Sequence, residues 1–346
     1  MTLDARSAVV GQAAKPRFED IDIMRGMAIF LVVLGHLVAH KDFPRENQWY
    51  WYLLYWIYHF HMPLFMYLSG LSFFLFQKPI AGAAGYRRFL AQRAGRLLPA
   101  LFFLGAVVVG VKFMLSGWLH VDNPVRDFWS DMLKLVYDPL GGSLISVWFV
   151  YTLFIIYVVT VPLLQATGWK PLAVLVAGAI VHFLPLPNYF CLSRVGEYLF
   201  MFGLGCCAAT YYQQILSIST RYLPLFLGIF LLASVLIFLY MVEWSEDFKK
   251  VMLSLASLPV AHALSIKLHG LAAKAFALLG VCSFIIYLLN IEFIGATKAA
   301  LLKIHSWDGT AFLFFMPVLL LAGTVGPIIL KRKVFSRYRM LDRLTG

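Results

Sequence analysis

Charge is what this sequence has least of. Only 13% of its 346 residues are Asp, Glu, Lys or Arg, and 61% are hydrophobic, against about a quarter charged in a soluble domain. With a mean hydropathy of +0.80, a water-soluble enzyme is excluded. Acidic residues are scarcer still, 17 against 29 Lys and Arg, which leaves a formal charge of +12. Such an excess raises the question of nucleic acid. The basic residues, however, sit in loops between apolar runs and no nucleic-acid motif accompanies them, so no nucleic-acid partner is expected. The four cysteines, Cys191, Cys206, Cys207 and Cys282, lie in or beside apolar runs without metal-ligand spacing and read as small core residues. No small-residue cleavage site follows the first apolar run, which therefore reads as a retained helix. Neither an internal repeat nor a matched pair of Gly/Pro-broken helices is present, which argues against a repeat-built transporter.

Long apolar runs are what the sequence has in abundance. At about 20 residues per spanning helix, those near 24–40, 50–77, 97–118, 144–166, 171–186, 196–213, 222–242, 250–266, 273–294 and 310–330 predict an all-α polytopic integral membrane protein of ten transmembrane helices. Residues 1–22 form an N-terminal segment, 23–330 a single transmembrane domain and 331–346 a basic tail. The fifth run, bounded by Pro171 and Pro185, and the eighth, which contains Pro259, are candidates for breaks or tilts. Placing the N-terminus in the cytoplasm puts nineteen of the 29 basic residues on that side. Loop acids such as Asp127, Glu243 and Asp247 then fall on the other. Both termini are expected to be cytoplasmic.

The first of these runs carries ionisable groups at both ends. Arg25 and His36 are eleven residues apart, which is about 20° from a whole number of helical turns and about 16 Å along the axis. Asp22, three residues before Arg25, falls on the same side. A carboxylate, a guanidinium and an imidazole on one stripe of a membrane helix must face protein or water, since a central charge costs roughly 2.5–3.5 kcal/mol to insert. A plainer reading makes Arg25 a snorkelling anchor and His36 a hydrogen-bonded packing residue. His36 and His40 also have the i, i+4 spacing of two metal ligands, but no third ligand is evident and no metal is expected.

Several segments, in order along the chain, resemble the membrane acyltransferase 3 family, especially its fucose 4-O-acetylase-like branch. DIDIMRGMAIFLVVLGH places Arg25 and His36 in the family's pattern of Arg, ten residues, His. YHFHMPLFMYLSGLSFF looks like its second-span motif, with His61, Met62, Pro63, Phe65, Ser69 and Gly70 in place. FLAQRAGRLLPAL resembles its basic turn into the third span, through Arg93, Arg96 and Pro99. VWFVYTLFIIY, EYLFMFGLG and CSFIIYLLN are similar more weakly. One position departs: where the family often has His after Tyr-Leu-Leu, this chain has Asn290, which cannot take up a proton, and no catalytic role is carried there.

The resemblance implies transfer of an acyl group, most often acetyl, from cytoplasmic acyl-CoA to a hydroxyl of a carbohydrate acceptor in the cell envelope, in a bacterial inner membrane. On that reading Arg25, Arg93 and Arg96 grip CoA phosphates, while orientation alone accounts for Arg87 and Arg88. His36, with Asp22 and Arg25 on its stripe, is the expected general base, or carries the acyl group itself. His61 either lines the cavity or caps the break made by Pro63. Trp148 and Tyr151 either stack on a sugar or CoA ring or belong to the aromatic belt. Ser69 and Gly70 read as helix contacts. The acceptor, the acyl length and a homo-oligomeric state are left open. The competing reading is a transporter or flippase of an envelope lipid or sugar, with the same stripe relaying protons or binding anions.

Overall fold

The computed structural model describes residues 18–37, 48–118, 123–143, 147–304 and 309–338. The first seventeen residues, His40 and the tail from 339 lie outside them, together with the expectations made for them. Among the described residues there are helices and no strands. In chain order they are α1 (Glu19–Gly35), α2 (Gln48–Tyr58), α3 (His61–Phe76), α4 (Gly82–Leu115), α5 (Phe128–Tyr137), α6 (Trp148–Ala166) and α7 (Pro171–His182). After a 3-10 turn (Tyr189–Cys191) come α8 (Leu192–Thr210), α9 (Tyr212–Arg221), α10 (Leu223–Leu239), α11 (Glu246–Lys267), α12 (Gly270–Val281), α13 (Ser283–Leu301) and α14 (Gly309–Lys333).

Six of these helices, counting α2 with α3 as one, are long and apolar enough to cross a membrane, and a seventh if α9 and α10, bent by 83°, form one span. The chain is an integral membrane protein. The other expected spans are shorter or more polar. α1 has 17 residues and α7 and α12 have 12 each, while α11 opens on Glu246, Asp247, Lys249 and Lys250. α11 runs unbroken past Pro259.

The run 273–294 is not the single helix that its apolar content predicts. It divides at Cys282 into the end of α12 and the start of α13, and the two halves have different partners. α12 packs along α1, α13 along α14. Gly26 and Gly280 make the first contact: a Cβ on either would strike a backbone carbonyl of the facing helix, that of Phe276 or of Asp22. Gly70 lets α3 meet α8 in the same way, against the Phe202 carbonyl. Ser69 bonds only its own helix, at Phe65. Such small residues let membrane helices approach where no hydrophobic effect drives them together.

Pro63 sits at the break between α2 and α3. Having no N–H, it cannot bond the carbonyl of His59 four residues back. Ser254 of α11 donates to that carbonyl at 3.0 Å instead, so the break is also where α11 is fastened to the bundle. Away from these contacts the large side chains of α10, such as Leu225, Leu231 and Leu232, are exposed, as a lipid-facing surface requires.

Candidate active site

α1 is the axis of the site, and each end is built differently. At its beginning Glu19, Asp20 and Asp22 occupy the first turn, where acidic groups favour the positive end of the helix dipole. Tyr212 donates to the Asp20 carboxylate. Arg25 lies 3.9 Å from Asp22, too far for a tight hydrogen bond, and donates to Ser72 of α3 at 2.7 Å. Ser72 passes its own proton to the Leu68 carbonyl at 2.7 Å, so its lone pairs are turned to the guanidinium.

Arg93 and Arg96 come to the same end from α4. The Arg93 guanidinium stands 5.1 Å over the rings of both Phe89 and Tyr157, and Tyr157 of α6 interacts electrostatically with Arg25, Arg93 and Arg96 alike. Arg25 and Arg96 are close enough to repel, an interaction smaller than the attraction between Arg25 and Asp22. The side chain of Arg25 keeps 34% of its surface accessible. Arg96 is exposed. The structure thus brings Asp22, Arg25, Arg93 and Arg96 together and adds Ser72 and Tyr157.

At the other end the helix stops at Gly35, and His36 is its C-cap. A helix leaves its last carbonyls unpaired. Two tyrosines of α2 take them: Tyr50 donates to Leu34 at 2.7 Å and Tyr58 to Gly35 at 2.8 Å. They fix the turn from which the His36 ring projects. The ring bonds Asn290 of α13, Nδ1 to Oδ1 at 2.9 Å. His36 keeps part of its surface accessible.

His61 belongs to this end, its ring 5.2 Å from that of Tyr58. It caps the break, its Nδ1 donating to the Ile57 carbonyl at 2.7 Å, and it is near enough to His36 for the two rings to interact electrostatically. His59 instead faces Glu246 of α11, at 3.0 Å. Trp148 is already engaged by protein: it stacks on Tyr198 with centroids 5.3 Å apart, and the Arg194 guanidinium stands 5.3 Å over its ring. Tyr151 is half-buried among core side chains.

Two polar features escape the motif reading. Glu197 of α8 pairs with Arg194 at 2.5 Å and with Lys250 of α11 at 2.9 Å. Glu197 and Lys250 line a small cleft with Pro63 and Tyr198, which shares His182, Phe200, Asp247 and Val251 with a groove of about 770 Å³ between α7, α8 and α11. Glu292, two residues past Asn290, has both carboxylate oxygens buried with no hydrogen-bond partner among the described residues. Membrane acids are costly, and position within an apolar run was the available signal for both.

An acyltransferase-domain family profile, that of acyltransferase 3, matches residues 18–332. No curated protein and no solved structure gives a significant match.

Proposed function

The chain belongs to the acyltransferase 3 family and is a membrane acyltransferase; from this premise we propose that it moves an acyl group, acetyl by preference, from acyl-CoA to a hydroxyl of a cell-envelope sugar. The observation that carries the reading is the asymmetry of α1. Three guanidiniums gather at one end, and at the other the His36 imidazole is hydrogen-bonded to Asn290, with His61 beside it. CoA is polyanionic, and guanidiniums grip phosphate by paired hydrogen bonds. A hydroxyl is a poor nucleophile, and a neutral imidazole within hydrogen-bond reach can take its proton as attack begins.

The reaction needs both ends. CoA bound at the Arg25 end extends its pantetheine arm along the helix toward His36, where the acceptor hydroxyl meets the thioester. With both termini in the cytoplasm, CoA enters from inside and the sugar from outside a bacterial inner membrane. No observation favours the transporter reading. Membranes carrying the protein, given acetyl-CoA labelled in the acetyl group, should place label on an envelope glycan. Mass spectrometry of that glycan from a strain lacking the protein should show one acetyl fewer per repeat. Unchanged glycan and no labelled product would contradict the reading.

A further inference from the structure

Asn290 occupies the position where the family resemblance leads one to expect a histidine, and its chemistry excludes proton transfer. Its surroundings nevertheless leave it one arrangement. The side chain is fully buried. Its Nδ2 donates to two carbonyls of its own helix, Ile286 and Tyr287, each at 2.9 Å. An amide nitrogen has two protons to give, and both are used. Turning the amide over would set Oδ1 against two carbonyl oxygens with no proton between them. The Oδ1 atom therefore faces His36, and an amide oxygen only accepts. The proton of the 2.9 Å contact must come from His36 Nδ1.

We infer that Asn290 is a positioning residue that holds His36 in the tautomer protonated at Nδ1, so that Nε2 carries the lone pair and faces the reacting hydroxyl. The partner of one imidazole nitrogen sets the state of the other. Asn290 touches neither substrate nor the reacting atoms; it acts through His36. Tyr50 and Tyr58 contribute by fixing the backbone at the end of α1, which settles where the ring stands but not which nitrogen is bare.

The inference rests on the proposed role of His36 as base, and the step then balances. The acceptor oxygen forms a bond to the thioester carbon as its proton moves to Nε2. The carbon–sulfur bond breaks, and the leaving thiolate takes that proton from Nε2. The products are the acyl ester and the free thiol of CoA. Nδ1 keeps its proton on Asn290 throughout, so the imidazole returns to its starting tautomer after each turnover.

The test is spectroscopic. Protein labelled with 15N in its histidine rings, in detergent, gives imidazole nitrogen shifts that separate protonated from bare nitrogens, with the His36 signals assigned by their loss in His36→Gln. In wild type, Nδ1 should be protonated and Nε2 bare. Asn290→Asp, protonated on the oxygen that faces the Ile286 and Tyr287 carbonyls, keeps an acceptor toward His36 and should keep the proton on Nδ1. Asn290→Leu removes it and should release His36 to the other tautomer or to a mixture. Transfer from labelled acetyl-CoA in membranes should fall about 10- to 100-fold in Asn290→Leu, the range seen when a partner that orients a metal-ligating histidine is lost. In Asn290→Asp it should fall much less. Wild-type His36 protonated at Nε2, or Asn290→Leu and Asn290→Asp both with the wild-type tautomer, would overturn the inference. If His36→Gln itself kept full transfer, the base reading would fail, while the tautomer measurement would still decide the role of Asn290.

Discussion

The two ends of α1 solve opposite problems with the same helix. At the Arg25 end, charge is concentrated and left partly open: Arg25, Arg93 and Arg96 lie around Tyr157, and among the described residues the Asp22 carboxylate stands 3.9 Å from Arg25. At the His36 end the hydrogen bonds among the described residues join uncharged groups. Carbonyls, hydroxyls and one amide are matched to one another in hydrogen bonds of 2.7–2.9 Å. Binding an anion asks for positive potential, which tolerates small displacements because Coulomb attraction falls slowly with distance. Taking a proton asks for one bare nitrogen in one place, and a small displacement forfeits it. The same substitution logic should therefore give different answers at the two ends.

The largest effect is expected at the His36 end. His36→Ala and His36→Gln should both lower acyl transfer on the order of 10² to 10⁴, because glutamine keeps size and a hydrogen bond but cannot accept and release the proton. Initial rates with labelled acetyl-CoA would check this. A His36→Gln enzyme far more active than His36→Ala would make His36 a packing residue and erase the contrast. At the other end the expected effects are smaller and fall on affinity. Arg25→Ala should weaken CoA binding by about 1.5–3 kcal/mol, the worth of a charged hydrogen bond. Arg25→Lys should weaken it less, since charge is kept and only the planar two-point grip is lost. Calorimetric titration with CoA reads both, and equal affinity in Arg25→Lys and wild type would reduce Arg25 to an anchor.

Smaller again is Tyr58→Phe, which removes one cap from α1 and should cost about 0.5–1.5 kcal/mol of stability, seen as a lower unfolding temperature in detergent with CoA affinity unchanged. A loss of CoA affinity in that variant would mean that the two ends are not separable. A topology reporter fused at Gly346 should perturb none of these values and should report a cytoplasmic C-terminus. Reporter activity on the other side would reverse the direction from which each substrate arrives.

The membrane character was legible because it depends on composition, which a sequence states directly. The division of 273–294 was not. Cys282 lies in continuous apolar sequence, and what the sequence does not state is that α12 lies along α1, through Gly26 and Gly280, while α13 lies along α14, contacts between residues far apart in the chain. α9 was unreadable for another reason: its polar face looks like loop until α10 turns 83° away from it. Asn290 shows the limit of judging a residue by its own titration. The sequence establishes that it cannot be a base; only the fold brings it against His36. Ser72, Tyr157, Tyr50 and Tyr58 belong with it, each an ordinary residue of an apolar segment until a partner from another helix gives it a task.

If binding and chemistry reside at opposite ends of α1, acetyl-CoA titrated onto His36→Gln separates them. The dissociation constant should equal that of wild type, in a protein whose acyl transfer has fallen at least about 10²-fold. Affinity that falls in step with transfer would contradict that separation, because the imidazole would then be part of the CoA site.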